Sequence, residues 1–573
     1  MLTENYAAPL QRKAVGITKG PGETTHEYTF VTRDEEQQLK NGEYVYYELN
    51  SAELAEQNSH STTRRVLGRI LKRVPLKLYP DTFLAEPEIV PSQVASLVGY
   101  DDRANDLFEI HVAIMGYYDA PTGSFINPWI PPQSGKQIYL ADDQMLSEIL
   151  SRKRDRQPGS ATIGSLLTRA PGAVPIVLSV KDVVSTHMAI IASTGAGKSY
   201  LASVLIEELM QPHNKACVLV VDPHGEYGTL EQIANFPQFA SESTGRGSGY
   251  RAQVRIYKPE QVKVRISTLN MGDMRQLLTE MTEKQQYLLG RALRKVNESA
   301  HGSIWGVAAL KKAIREVARQ KSEDEEGGDD STTVRALEWR IEQRFEHSFT
   351  FDDTQHLDLP EIFKPGQCTV LQLNEIDERD QQVIVATLLR RLYKARMDTE
   401  RGKVHAGEFY LPYPVFVLLE EAHHFAPGGA EVVSTAILKQ VLAEGRKFGI
   451  GVGLISQRPG KLDADVLSQC QTQCIMRIVN EIDQKSVAAA IEGVGRDLLD
   501  NLPALSKGQV IVAGAAVNTP VICRVRPRIT QHGGESKDAP AMWQQYFSQE
   551  EQESRKRSEA PLSNNNRGFN LLK

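Results

Sequence analysis

The chain of 573 residues has little cysteine, no excess of positive charge and no long apolar run. Its five cysteines, Cys217, Cys368, Cys470, Cys474 and Cys523, are too few and too scattered for a disulfide framework. The odd count fits reduced thiols in a cytoplasm. Cys470 and Cys474 have the spacing of one helix face, but no second pair or nearby histidine completes a zinc set. A formal net charge of −6 excludes global attraction to nucleic acid, so any such contact must come from a local patch or a pore lining. No uninterrupted apolar stretch of about 18 residues, the length of a membrane-spanning helix, is present. The opening MLTENYAAPLQRKAV also lacks the apolar core of a signal peptide. These absences predict a cytoplasmic protein with no membrane contact.

What the chain does have is length and a change of texture. At about 100 to 200 residues per domain, it should divide into several units. Residues 1–155 read as short strands broken by turns. AVGITKGPGETTHEYTFVT, GEYVYYELN, RRVLGRILKRV and DLFEIHVAIMGYYD often alternate apolar and polar residues, and Gly20-Pro21-Gly22, Gly42 and Pro121 to Gly123 supply turn chemistry. That pattern predicts a small β-barrel without catalytic residue types. From residue 156 the runs lengthen to HMAIIA, ACVLVVD, CTVLQL, PVFVLLEE, IGVGLIS and CIMRIV. Near-continuous apolar strands are what a parallel sheet covered on both faces requires. The expected fold is therefore α/β, with a mainly parallel sheet in two parts, 156–269 and 351–535. A helical insertion over 270–350 separates them, because MRQLLTEMTEKQQYLLGRALRKV and SIWGVAALKKAIREVARQ place apolar residues at three- and four-residue intervals. Within it EDEEGGDD, residues 323–330, reads as a solvated surface loop. Residues 536–573 read as a polar tail that could dock a partner through its last apolar residues.

The stretch AIIASTGAGKSY, residues 189–200, reads as a phosphate-binding loop that lacks its usual first glycine, since Ala192 stands there. Gly195 and Gly197, where the backbone must approach phosphate, are present. Leu201, Val204, Leu205 and Leu209 follow at helical spacing, so strand, loop and helix occur in the required order. Backbone N–H groups of Thr194, Gly195, Ala196, Gly197, Lys198 and Ser199, with Tyr200 next, would cradle a triphosphate at a helix N-terminus. Lys198 would reach the β- and γ-phosphates, and the Ser199 hydroxyl would ligate Mg²⁺. Guanine specificity is disfavoured, because NKAC at 214–217 fails the Asn-Lys-x-Asp pattern at its last position. The implied cofactors are ATP and Mg²⁺.

Further acidic and polar residues end other apolar runs. In VFVLLEEAHHFAP, Glu420 stands where aspartate is common and would orient the metal's water shell, while Glu421 would be the general base. The adjacent His423 and His424 do not share a helical face, which disfavours a metal pair. In VLVVDPHGEY, Asp222 and Glu226 either serve the site, Glu226 through a neighbouring subunit or a water, or simply build an Asp-Pro, His-Gly turn. In EGRKFGIGVGLISQRPGKLD, a strand over 450–455 delivers Ser456 and Gln457 to the same edge, where Gln457 could sense the γ-phosphate. Arg446 either caps the preceding helix or is supplied to an adjacent subunit's nucleotide.

The ordered set THMAIIASTGAGKS, VVDPHGEY, GQCTVLQLNEIDERDQQVIVATLLRRLYKAR, VLLEEAHHF, EGRKFGIGVGLISQRP and RPRITQHGG resembles the HerA family of hexameric DNA translocases, relatives of FtsK. The N-terminal GPGETTHEYTF and LGRI resemble that family's HAS-barrel. The resemblance implies a RecA-like ATPase in a homohexamer, with double-stranded DNA in the central pore. On its template Lys198, Ser199, Glu420 and Glu421 carry over as nucleotide, magnesium and catalytic positions, with Arg446 as the trans-acting arginine and Arg477 as runner-up. It also implies an effector, a nuclease or a sirtuin-like NAD-cleaving protein, in DNA-end processing or antiphage defence. An alternative is an ATP-locked platform that regulates the effector without pulling DNA. The glycine-rich STGRGSGYR, residues 243–251, is either a plain surface loop or a DNA contact through Arg246 and Arg251.

Overall fold

Alternation in the first part of the chain builds a closed sheet. The computed structural model describes residues 13–20, 24–49, 63–76, 88, 107–119, 121–242, 249–324, 331–490, 495–533 and 539–548. Strands β1 (Ala14–Thr18), β2 (Glu27–Thr32), β3 (Tyr44–Leu49), β4 (Arg64–Pro75), β5 (Phe108–Asp119), β6 (Ser124–Ile126) and β7 (Gln137–Leu140) follow the order β2-β1-β7-β3-β4-β5-β6. Because β5 returns to pair with β2, all but β6 close into an antiparallel barrel. Tyr28, Phe30, Val45, Tyr47, Val66, Ile70, Ile110 and Val112 fill it. Closure removes the exposed edges on which such short strands would otherwise associate.

The second sheet carries β8 (Ser160–Leu166), β9 (Pro175–Ser179), β10 (Met188–Ile191), β11 (Cys217–Asp222), β12 (Gln253–Tyr257) and β13 (Gln367–Gln372). It continues with β14 (Val415–Leu419), β15 (Ile450–Ser456), β16 (Thr472–Ile475), β17 (Gln509–Gly514) and β18 (Val521–Val525). The order is β12-β13-β11-β14-β15-β10-β16-β17-β18-β8-β9. Strands β12 through β16 in that order are parallel, and the rest of the sheet is antiparallel. The expected α/β fold with a mainly parallel sheet is thus present; five of the six long apolar runs contain its strands, while CIMRIV contributes only Cys474 and Ile475 to the end of β16.

Both faces of that sheet are covered, and each strand shows it. On β11, Leu219 and Val221 enter one apolar cluster while Val218 and Val220 enter the other. Helix α1 (Lys198–Leu209) lies in the second cluster through Leu201, Val204, Leu205 and Leu209. Between β12 and β13 come α2 (Met271–Leu277), α3 (Glu283–Ala300), α4 (Val307–Asp324) and α5 (Ser331–Phe345), which join the first cluster with α6 (Glu378–Glu400) and α7 (Val433–Glu444). Capping boxes start two of these helices, Asn270 with Asp273 and Thr282 with Gln285, each pairing side chain and backbone reciprocally. Arg169 ties barrel to core, reaching Glu43 at 2.9 Å and Asp143 at 3.0 Å.

Several local expectations need correction. Cys470 and Cys474 do not share a helix face, because Cys474 is on β16 and Cys470 lies in the turn before it, both buried. Glu323 and Asp324 end α4 rather than open a loop, and 325–330 lie outside the described residues. Within the tail, residues 539–548 form a helix with Met542, Trp543, Tyr546 and Phe547 exposed, so the tail is less uniformly polar than its composition suggests. Among the described residues, no helix is long and apolar enough to cross a membrane.

His187 immediately precedes β10 and is buried. Its Nδ1 accepts the Val452 N–H at 3.1 Å, so Nε2 carries the proton and donates to the Leu442 carbonyl at 3.0 Å. Burial lowers its pKa to about 4, more than the Leu442 bond raises it, with Arg446 repelling the cation. The unfolded chain therefore takes up this proton first. Stability from His187 is complete above pH 6.5 and is lost as pH falls through 4, by up to about 3 kcal/mol. Thermal melts of wild type and His187→Gln should show a shallower acid decline in the variant. Equal declines would exclude His187 as a source of that slope.

Candidate active site

A short buried strand delivers the glycine loop. All of β10 is buried, and the chain leaves the sheet at Ala192, whose N–H donates to the Ser456 carbonyl at 3.2 Å. The Ser193 N–H then donates to the Arg477 carbonyl at 2.9 Å. Gly195 has φ 78° and Gly197 has φ 108°, values that L side chains rarely adopt, whereas Ala192 is outside the positive-φ set. A Cβ at Gly195 would meet nothing within 4 Å. The two positions that need glycine have it, and alanine at 192 is unstrained. Helix α1 begins at Lys198 with no side chain capping its N-terminus, the end of a helix that suits an anion.

Opposite the loop, β14 ends in two carboxylates. Glu420 extends the sheet, its N–H donating to the Val221 carbonyl at 3.1 Å. Glu421 turns the chain with φ 49° and ψ 48°, a left-handed conformation uncommon for a non-glycine residue, and a short turn over Ala422–His424 follows. Both carboxylates are buried. Lys198 Nζ pairs with Glu420 Oε1 and lies 3.1 Å from Glu421 Oε1. Tyr227, fully buried, donates its hydroxyl to Glu420 Oε2 at 2.9 Å.

These contacts set the protonation chemistry. Burial pushes Glu420 up to about 7, against the pull of Lys198, and repulsion from Glu421 adds to it. Burial acts to lower Lys198, but attraction to Glu420, Glu421 and Glu226 outweighs it and holds the ammonium above its ordinary value. Burial and the neighbouring His424 push His423 down to about 4, so its ring is neutral at pH 7. Its Nδ1 sits 3.3 Å from Glu421 Oε2 and 3.2 Å from Ser456 Oγ. Glu421 Oε2 itself is buried with no hydrogen-bond partner among the described residues. A carboxylate oxygen in that state can accept a proton from an incoming water.

The remaining site residues separate into two groups. Thr194 Oγ1 donates to Gln457 Oε1 at 2.9 Å, so Gln457 does reach the loop from the end of β15. Ser199 Oγ donates to Glu226 Oε2 within the chain, which places Glu226 beside the loop. Asp222 builds its turn, accepting the N–H groups of Gly225, Glu226 and Tyr227 at 2.8, 3.1 and 3.0 Å. Arg446 is exposed in the turn before β15, at the strand's amino end. Seven residues of strand, about 23 Å at 3.3 Å each, separate it from Gln457. Arg477 is exposed on the same edge as the loop, just past β16. Arg251 is exposed in a two-residue strand paired with Ala240 and Ser241, away from this edge. Arg246 lies outside the described residues.

Other contributors lie in RPRITQHGG, a stretch whose residues have no role assigned from the sequence alone. Arg526 binds Glu207 at 2.9 Å and Glu208 at 2.7 Å on α1, and Glu207 also accepts the Thr530 N–H at 2.9 Å. Tyr200 Oη accepts the Arg528 N–H at 2.7 Å. The segment 526–530 thus clasps the loop's helix from behind. Two adjacent glutamates inside an otherwise apolar helix were the available signal for a buried cation.

A glycine loop on a helix N-terminus, with its lysine facing two strand-end carboxylates, defines a P-loop ATPase. A sequence model described as "Helicase HerA, central domain" matches residues 161–392. The chain is 30% identical over 422 residues to the DNA double-strand break repair helicase HerA of Pyrococcus furiosus, covering 69% of this chain and 74% of that one. It is 26% identical over 409 residues to the protein of the same name from Saccharolobus solfataricus, covering 70% and 74% respectively. VirB4 of Thermoanaerobacter pseudethanolicus superposes with TM-score 0.46 at 13% identity, covering 66% of this chain and 98% of that one. The chain belongs to the HerA helicase family.

Ala192→Gly tests the reading of the loop. Glycine there should lower stability by about 1 kcal/mol, through backbone entropy and a lost buried methyl, without tightening nucleotide binding. Urea unfolding and a nucleotide titration measure both. A gain in affinity would mean that alanine does strain the loop.

Proposed function

We propose that this chain is the ATP-hydrolysing subunit of a homohexameric ring that translocates double-stranded DNA. The observation that carries the reading is the convergence of Lys198, Ser199, Glu420, Glu421 and Gln457 on one sheet edge, from separate strands. The loop N–H groups from Thr194 to Ser199 bind the phosphates of ATP, with Tyr200 beside them. Lys198 exchanges its carboxylate partners for phosphate oxygens. Glu421 takes a proton from the attacking water through its unpartnered Oε2, and Gln457 reports on the γ-phosphate. The residues fit Mg²⁺ as well. Ser199 would hold it, Glu420 would face its water shell, and the ion would neutralise charge on the transferring phosphoryl group.

Arg446 supports a ring. At the far end of β15 it cannot serve its own chain's nucleotide, whereas an arginine supplied to a neighbour needs such an outward place. Arg477, on its own loop's edge, suits that role less. The relatives' names, DNA double-strand break repair helicase, favour DNA as the track and are compatible with end processing as the setting. Residues 156–269 and 351–535 form the motor in this reading, and residues 1–155 the docking barrel for an effector, a nuclease or an NAD-cleaving protein of an antiphage system. Trp129 and Ile130, 68% and 44% exposed on the β6–β7 connection, favour a protein partner there and keep the platform alternative in view.

ATPase activity should rise with double-stranded DNA and vanish in Lys198→Ala. Indifference to every DNA tested would count against the motor. If Glu421→Gln still supports effector action, the platform reading replaces it. Arg446→Ala and Lys198→Ala should each be inactive alone. Mixed, they should recover activity in about a quarter of the sites of a randomly assembled ring, where an intact loop meets a neighbour's intact arginine. No recovery in rings verified by mass would remove Arg446 from the trans role.

A further inference from the structure

The hydroxyl that follows a P-loop lysine serves two partners. Its lone pair ligates the metal, and its proton needs an acceptor that fixes the lone pair's direction. Glu420, at the end of β14 and paired with the preceding lysine, is the obvious candidate. Its Oε1 is on Lys198 and its Oε2 receives the Tyr227 hydroxyl, and Tyr227 remains on Oε2 when Lys198 turns to phosphate. The Ser199 proton goes instead to Glu226 Oε2. Glu226 is placed for this by a turn that does not depend on its own side chain, since Asp222 holds the backbone N–H groups of Gly225, Glu226 and Tyr227.

We propose that Glu226, rather than Glu420, is the positioning residue that aims Ser199 at the metal. The inference rests on the ATP·Mg²⁺ reading above. Glu226 does not touch the ion in this scheme. It accepts the Ser199 proton whether or not nucleotide is bound, so the hydroxyl oxygen presents a lone pair toward the loop. The turn DPHGEY therefore supplies both acceptor and lock, because Tyr227 in the same turn engages Glu420 Oε2.

The test is a titration of the full-length protein with fluorescent ADP, with Mg²⁺ and with EDTA, for wild type, Glu226→Ala and Glu226→Gln. Wild type should bind more tightly with Mg²⁺. Glu226→Ala should lose about tenfold of that metal-dependent gain, the usual scale for removing a group behind a metal ligand, with its affinity in EDTA undiminished. Glu226→Gln, which keeps an acceptor oxygen in place, should retain more of the gain than alanine. An unchanged gain in Glu226→Ala overturns the proposal. So does an equal loss with and without metal, which would mark Glu226 as merely structural. If wild type itself shows no metal-dependent gain, the ATP·Mg²⁺ reading fails, and that outcome is distinct from a failure confined to Glu226.

Discussion

Two carboxylates buried at the end of an apolar strand cannot stand alone. Each would carry a desolvation penalty of several kcal/mol without a partner. Lys198 is the cation that offsets it, and its pairing with Glu420 and Glu421 organises everything near it. The loop must bring the lysine across from β10. The left-handed turn at Glu421 must keep the second carboxylate beside the first, and Tyr227 must satisfy the oxygen that Lys198 leaves over. The same pairing is provisional by nature, since an incoming phosphate offers Lys198 oxygens with more charge. A site neutralised internally when empty has a partner ready to release when it fills.

The support behind the loop is of another kind. Arg526 and Glu207 sit in a nearly dry contact between α1 and the segment that follows β18, and Arg526, Ile529 and Thr530 converge on Glu207. A buried pair of this sort adds little net stability, but removing one partner alone leaves a stranded charge. The contact therefore specifies where the loop's helix sits more than how firmly the domain folds. Sheet and clasp together hold the two ends of the phosphate cradle.

Much of this was legible from residue order because a strand buried on both faces has to be apolar throughout. HMAIIA, ACVLVVD and VFVLLEE announce themselves for that reason. Strand β8, SATIGSL, does not, because its serines, threonine and glycine suit an antiparallel position and read like a loop. Strand β12, QVRIY, alternates and lies at the sheet's edge, so it lacks the same signature. In the site, Lys198, Ser199 and the glycines were readable because they act through neighbours in sequence. Tyr227 and Arg526 were not, and Glu226 was legible only as one of two readings of its turn, because their partners are brought together only by the tertiary fold. The Cys470–Cys474 spacing misled for a related reason, since a four-residue interval means a helix face only where a helix exists.

The strand that presents the loop has one more property. β10 pairs with β15 on one side and β16 on the other, so both neighbours of Ile190 come from residues 450–475. Chains are synthesised from the amino end. The strand before Lys198 therefore emerges early and waits, one edge unpaired until residue 456 has been made and the other until residue 475. An unfinished chain cannot grip a triphosphate, and it carries two open strand edges of the kind that associate with other chains. Nucleotide binding is thus a certificate of completion for this molecule, since ATP can stabilise only a chain whose last parallel strand is already in place.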